Sequence, residues 1–369
     1  MQPMPTQHIL KRLVHPRIRR AIGRYRVSRE VRQLSGPKRL QLSKQEAVVT
    51  CVVKNGEFYI DGFIKHYSEM GFRHIFFLDN GSSDRTISIA QQYPNVSVCR
   101  SDLPIEAHQG AFKSYLAAAS SDGGWCLDAD IDEFFDYPSS DQVSLADFLE
   151  YLNQDRSTGV ITQLLDMFSD KPLPQLSTTG GHDLKTVYQY YDLSDVTRTP
   201  YREASIAALY GSRNVITHDK TALYFGGMRK TLYGNNCLLT KHSLFRPEQV
   251  ELFPHVHFVD RARLADVSGV MLHYKLTGNA LEIAVQNKEG FKGNSKGYID
   301  FINFLTNGAD HQIRRESALN LRSADDLLQS GFLFVSERYR DYVRAKSEGT
   351  RQVQARVEVH PDVCTQEQV

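Results

Sequence analysis

Between residues 46 and 100 the apolar positions switch between two rhythms. Val48-Val49-Thr50-Cys51-Val52-Val53 is a β-branched run with no polar alternation, the pattern of a parallel strand buried on both faces. Lys54-Asn55-Gly56-Glu57 reads as a turn, and then Ile60, Phe63, Ile64 and Tyr67 recur at i, i+3, i+4 and i+7. That spacing predicts an amphipathic helix, stopped at Gly71. His74-Ile75-Phe76-Phe77-Leu78 is the next strand, closed by the polar turn Asp79-Asn80-Gly81-Ser82-Ser83-Asp84. Thr86 to Tyr93 predicts a second helix and Val96-Ser97-Val98-Cys99 a third strand. Strand, helix, strand, helix, strand implies a Rossmann-like parallel sheet with right-handed crossovers.

Farther along, Trp125 to Pro138 begins apolar, packs four carboxylates into six positions and turns apolar again. Buried acids in such a bracket are costly unless a cation neutralises them, and a divalent metal is the simplest cation. Oxygen ligands favour magnesium or manganese over zinc or copper. If this stretch is one strand, Asp130 and Asp132 share a face while Ile131 packs behind them. Asp128 and Asp130 form a rival pair with the same spacing. Two more apolar runs end in chemistry: Val160 to Leu165 is followed by Asp166, and Val270-Met271-Leu272 by His273. The pair Gly226-Gly227 precedes Arg229 and Lys230, and glycine there permits close backbone approach to a phosphate. His255 and His257 form an H-x-H pair, but no cysteine or nearby acid completes a zinc set.

The ordered set of these segments resembles family 2 glycosyltransferases of the GT-A fold. The closest branch opens with KNE, has a DNGSxDxT turn and carries a DxDEFF…YP metal strand. The counterparts here are Lys54-Asn55-Gly56-Glu57, Asp79 to Thr86, and Asp130-Ile131-Asp132-Glu133-Phe134-Phe135 with Tyr137-Pro138. The resemblance continues through Leu164 to Asp170, Gly226 to Lys230, Leu239 to Leu244 and Leu272 to Lys275, so it spans roughly 46 to 305. Gly56 interrupts the KNE pattern, and Asp128 is an acid where the branch has an apolar residue. The Glu-Phe-Phe after Asp132 favours the Asp130–Asp132 register.

The resemblance implies a GT-A glycosyltransferase domain at 46–305, between a basic leader at 1–45 and a helical C-terminal extension with its tail at 306–369. It implies a metal-dependent, inverting transfer from a nucleotide-diphosphate sugar to a glycan or lipid-linked acceptor, in bacterial surface polysaccharide synthesis. Val53, Glu57, Asp79, Asp130, Arg229 and Lys230 would bind the donor. Asp130, Asp132 and His273 would hold Mn2+ or Mg2+, and Glu133 and Asp166 are the two candidates for the general base. A sugar nucleotidyltransferase would open with a glycine-rich loop after the first strand, where this chain has a single glycine. A noncatalytic nucleotide-sugar or glycan-binding module would have less use for both acids of the D-x-D.

A formal net charge of +1 gives no preference for nucleic acid, and none is expected as a partner. The charge is uneven, however. Residues 1–40 hold eleven Lys and Arg against Glu30 alone, interleaved with Ile9, Leu10, Leu13, Ile18, Ile22 and Val27. Such a segment is either a solvated leader or a peripheral contact with an anionic membrane surface. Five scattered cysteines without a C-x-x-C pair suggest reduced thiols. With no signal-peptide pattern and no run of about 18 apolar residues, the expectation is a cytoplasmic protein, at most peripheral to the inner face of the membrane. The Gly290–Tyr298 stretch reads first as an ordinary exposed connector, with the composition also of a mobile loop that closes over a bound nucleotide sugar, and the chain beyond Lys346 reads as a frayed polar tail.

Overall fold

The computed structural model describes residues 16–176, 183–290, 296–307 and 312–359. Helix α1 (Pro16–Glu30) and strand β1 (Arg32–Ser35) come first, then β2 (Ala47–Val53), α2 (Glu57–Met70), β3 (His74–Asp79), α3 (Thr86–Ala90) and β4 (Val96–Arg100). The predicted βαβαβ run is therefore present, with its second helix ending at Ala90 rather than Tyr93. Gly71 closes α2 in the left-handed conformation, at φ 100°. Helix α4 (Ile105–Ala119) leads to β5 (Trp125–Asp128) and β6 (Glu133–Asp136), then α5 (Leu145–Gln154) and β7 (Gly159–Asp166). The site is completed by β8 (Ala222–Gly226), α6 (Met228–Tyr233), β9 (Thr240–Phe245), β10 (Gly269–His273), α7 (Lys296–Thr306) and α8 (Glu337–Val359).

Among the described residues one eleven-stranded sheet runs β1-β4-β3-β2-β5-β9-β7 and on to the short strands Arg263–Leu264 and Val215–Ile216, with β10 against β7 and β6 against β10. Pairing is parallel from β4 through β3 and β2 to β5, and again between β7 and β10. Strands β1, β9 and β6 run antiparallel to their neighbours. This is the expected α/β architecture, a mostly parallel central sheet flanked by helices.

The β2 and β3 positions are buried almost throughout, because helices cover the sheet. Phe63 packs edge-to-face on Tyr67 and Phe134 and tilted against Phe77, an aromatic core beneath the site.

Among the described residues, the segments on either side of the sheet pack against it. Val27 of α1 is fully buried, and β1 pairs with β4 from Arg32↔Arg100 to Ser35↔Val98. At the other end, the backbone stays helical to Val359, past the point where the polar sequence suggested fraying. Tyr339 of α8 is buried, edge-on to Phe148 and donating to the Pro138 carbonyl at 2.7 Å.

Candidate active site

Register places the chemistry in one row. Val53 pairs with Asp79 and Thr50 with Asp128, so the carboxyl ends of β2, β3 and β5 lie along one edge of the sheet. Across the same sheet His273 pairs with Glu133 on one side and with Asp166 on the other. Ligands of open α/β sheets bind at this edge.

The acid-rich stretch differs from its sequence reading. Strand β5 stops at Asp128, and Asp130 to Asp132 form a turn before β6 instead of continuing the strand. Two bonds close the turn: Glu133 N–H donates to the Asp130 carbonyl at 3.0 Å, and Asp130 N–H donates to Glu133 Oε2 at 2.9 Å. Asp130 and Asp132 consequently meet different partners. A continuous strand would drive four acids through a buried sheet, whereas a turn lets each find its own cation.

Those cations are lysines that the local sequence does not reveal. Lys113 of α4 bonds Asp128 at 2.7 Å and Asp130 Oδ1 at 2.9 Å. Lys241 of β9 bonds Asp130 Oδ2 at 2.8 Å and Glu133 Oε1 at 2.5 Å. Both lysine side chains are 2–3 % exposed. Burial raises Asp128 and Glu133 against the pull of their lysines. Burial also works against Asp130, yet Lys113 and Lys241 hold it well below the usual carboxylate range. The cluster of Asp128, Asp130 and Glu133 with two ammonium groups is thus neutralised to within one charge, without a metal.

The other half of the site is built on His273. Its Nδ1 meets Asp166 Oδ1 at 2.5 Å, and its Nε2 lies 3.3 Å from Asp132 Oδ2. Burial would lower the imidazole pKa, but Asp132 and Asp166 raise it above its ordinary value. Arg229 Nε donates to Asp166 Oδ2 at 3.1 Å, and against the cost of burial Arg229 and His273 hold Asp166 low. Arg229 Nη2 is buried without a hydrogen-bond partner among the described residues. Gly226 and Gly227 aim this arginine: Gly227, at φ 65° and ψ −155°, turns β8 into α6 through a conformation open essentially to glycine alone. Lys230, the next residue, is half-buried.

Lys275, two residues beyond His273, sits 5.2 Å from the Tyr298 ring centroid and 5.4 Å from that of Phe301, both on α7. Burial, then Arg229, lowers its pKa. The Gly290–Tyr298 connector thus ends inside the first turn of α7, while residues 291–295 lie outside the described residues.

Neither candidate base offers a free oxygen. Glu133 is 2 % exposed, with one oxygen on Lys241 and the other on the Asp130 amide. Asp166 is 5 % exposed and divided between His273 and Arg229. Asp128 is sealed against Lys113, which leaves Asp130 and Asp132 as the acids of the turn with real exposure, 38 % and 21 %.

On the nucleotide side, Asp79 is fully buried and accepts from the Gly81 and Ser82 amides, with Arg100 at 3.5 Å. Glu57 pairs with Arg85, which lowers its carboxyl, so it ties the first turn to the second. Gly56 has a packing reason: a Cβ there would meet Val53 Cγ2 at 2.7 Å and Ile131 Cγ1 at 3.1 Å. The glycine that interrupts the KNE pattern admits Ile131 of the acidic turn beside Val53. Of the discounted H-x-H pair, His257 is held well below its ordinary pKa by burial and then by the charge of Lys241.

The donor set fits a divalent ion in part. Among the described residues no group of three or more His, Cys, Asp and Glu is arranged to hold a metal. Asp132 and His273 supply one oxygen and one nitrogen at 3.3 Å, close to the roughly 3.0 Å between adjacent ligands of an octahedral ion. Such a pair leaves most positions for phosphate oxygens and water, as magnesium-type sites do.

Residues 49–207 match the family model described as glycosyl transferase family 2. The match contains Val53, Asp79, the acidic turn and Asp166, while Arg229, Lys241, His273 and Lys275 lie beyond it. The chain is an enzyme of the nucleotide-sugar-dependent glycosyltransferase class. No curated protein sequence matches it.

Among solved structures it is similar to TarS 1–349 of S. aureus, at 13 % identity over 72 % of each chain and a TM-score of 0.32. The mannosyltransferase PcManGT from Pyrobaculum calidifontis, in complex with GDP-Man and Mn2+, is 15 % identical over 43 % of this chain and 45 % of its own, with a TM-score of 0.26. HddC from Yersinia pseudotuberculosis is 10 % identical over 66 % of this chain and 99 % of its own, with a TM-score of 0.31. Likeness at this level carries no argument about substrate.

Proposed function

We propose that this enzyme transfers a sugar, with inversion and dependence on a divalent metal, from a nucleotide-diphosphate donor to a glycan or lipid-linked acceptor. Its setting would be bacterial surface polysaccharide synthesis, in the cytoplasm and close to the inner face of the membrane. The observation that carries the reading is the Asp132–His273–Asp166–Arg229 chain at the carboxyl edge of the sheet. It joins a metal-donor pair to an arginine with an unpaired, buried donor.

In this reading Asp132 and His273 would hold Mn2+ or Mg2+, which when bound would supply Lewis-acid stabilisation of a diphosphate leaving group. Arg229 and Lys275 take phosphate oxygens, Arg229 through its free Nη2, with Lys230 beside them. Asp79 and the Val53 backbone hold the base and ribose. Two ammonium groups make Asp130 a weak base, suited to accepting hydrogen bonds from hydroxyls rather than to removing protons. Asp166 acts through His273, fixing the tautomer that leaves Nε2 toward Asp132. Glu133 acts through the turn, and Glu57 through Arg85.

Calorimetric titration with UDP, GDP and CDP, with and without Mn2+, tests the reading on wild type and Asp132→Asn. Manganese-dependent binding of one nucleotide, weakened in the variant, is expected, followed by turnover that releases nucleoside diphosphate. Binding without turnover would favour a noncatalytic module; no binding of any of the three would sink the proposal.

A further inference from the structure

Helix α1 is amphipathic in the opposite sense from a core helix. Its inward face is Val27, fully buried, together with Gly23, whose added Cβ would meet the Ala111 side chain of α4 at 3.4 Å. Arg20, on the same side, reaches Glu251 at 2.7 Å. On the outward face, Ile18, Ile22 and Tyr25 follow one another at i, i+4 and i+7 and are 55 %, 46 % and 64 % exposed. At 100° per residue these three fall within about 60° of arc, with Arg29 between them and Arg19 and Arg26 on one flank.

Arg19, Arg24, Arg26 and Arg29 are exposed and have no acid partner among the described residues. The single acid of the helix, Glu30, is turned inward and held by Ser101 Oγ and the Asp102 amide. That contact fixes the end of α1 to the carboxyl end of β4, the edge that bears the site.

An apolar stripe facing away from the protein, rimmed by unpaired arginines, is what an interfacial helix presents to lipid. An acidic protein partner would need the arginines but not three exposed apolar side chains in line. We infer that the outward face of α1 docks on an anionic lipid bilayer. Ile18, Ile22 and Tyr25 enter the headgroup boundary, and Arg19, Arg26 and Arg29 pair with lipid phosphates. This deepens the peripheral location proposed above and is independent of the chemistry of the site, so either can fail alone.

The test is flotation of the full chain with vesicles of phosphatidylcholine alone or of phosphatidylcholine and phosphatidylglycerol in equal parts, at low and high salt. Wild type should float with the anionic vesicles, and less so at high salt. Ile18→Asp/Ile22→Asp/Tyr25→Asp should lower partitioning roughly tenfold or more, with melting temperature and nucleotide binding unchanged. Arg19→Gln/Arg26→Gln/Arg29→Gln, which leaves the stripe intact, should lose the preference for anionic lipid. Equal flotation of wild type and the aspartate variant, or none for wild type, would overturn the inference. So would a wild-type dimer that the aspartate variant dissociates, since a second copy would then cover the stripe.

Discussion

At the scale of single residues, the site is a set of buried charges that depend on one another. Lys241 is 2 % exposed and serves two carboxylates. Removing one partner of such a pair strands the other in a low dielectric, at a cost of about 3–5 kcal/mol. Lys241→Met should therefore lower stability by about that amount in urea unfolding. Lys241→Met/Glu133→Gln should recover part of the loss; additivity of the two changes would mean that they do not interact. Asp166 plays the corresponding part for His273. Asp166→Asn should weaken Mn2+ binding about 10- to 100-fold, read by titration of the metal in the presence of nucleotide. Unchanged affinity would show that His273 needs no orienting acceptor.

Strand and turn geometry decides where these residues point. Three strands in register bring Glu133, His273 and Asp166 side by side, although they stand far apart in the chain. The glycine pair does similar work on one arginine. Gly227→Ala would force a side chain into a backbone region that L-residues avoid and bring its Cβ within 3.3 Å of Leu239 Cδ1. The expected cost is about 1–3 kcal/mol, with a raised KM for the donor as Arg229 loses its aim. A lowered melting temperature with an unchanged KM would separate the turn from the site.

Over the whole molecule, several histidines are folded away uncharged. Burial pushes His66 down to about 3 and His74 and His242 to about 4, from an ordinary value of 6.5. Below 6.5 the unfolded chain takes up protons that the folded chain refuses. Stability is thus fully present near neutrality and is lost as pH falls from about 6.5 toward 4. By pH 5 each such histidine would cost about 1–2 kcal/mol. Thermal melts from pH 7.5 to 5 should show a steady fall, shallower in His242→Gln. A flat profile would mean that these rings are protonated within the fold.

Much of the scaffold was legible because strands and helices announce themselves through local periodicity. The β2, α2, β3 and β4 segments, the stop at Gly71 and the acidic turn after β3 could all be read within windows of some ten residues. Asp166 and His273 stood out because each follows an apolar run, and Asp132 because it closes a D-x-D pair. What the sequence could not reveal is the charge balance. Four acids in six positions argued for a metal, yet Lys113 and Lys241, distant in the chain, already neutralise half of that charge. Lys275 lay within a recognised motif, but its setting against Tyr298 and Phe301 depends on how α7 packs.

The chain by itself determined the order of its elements and marked several candidates for chemistry, because burial and turn formation act over short range. Only the tertiary structure decided which acids keep a free oxygen and which stripe of α1 faces outward. Pairing and desolvation are settled between residues that meet only after the sheet has closed.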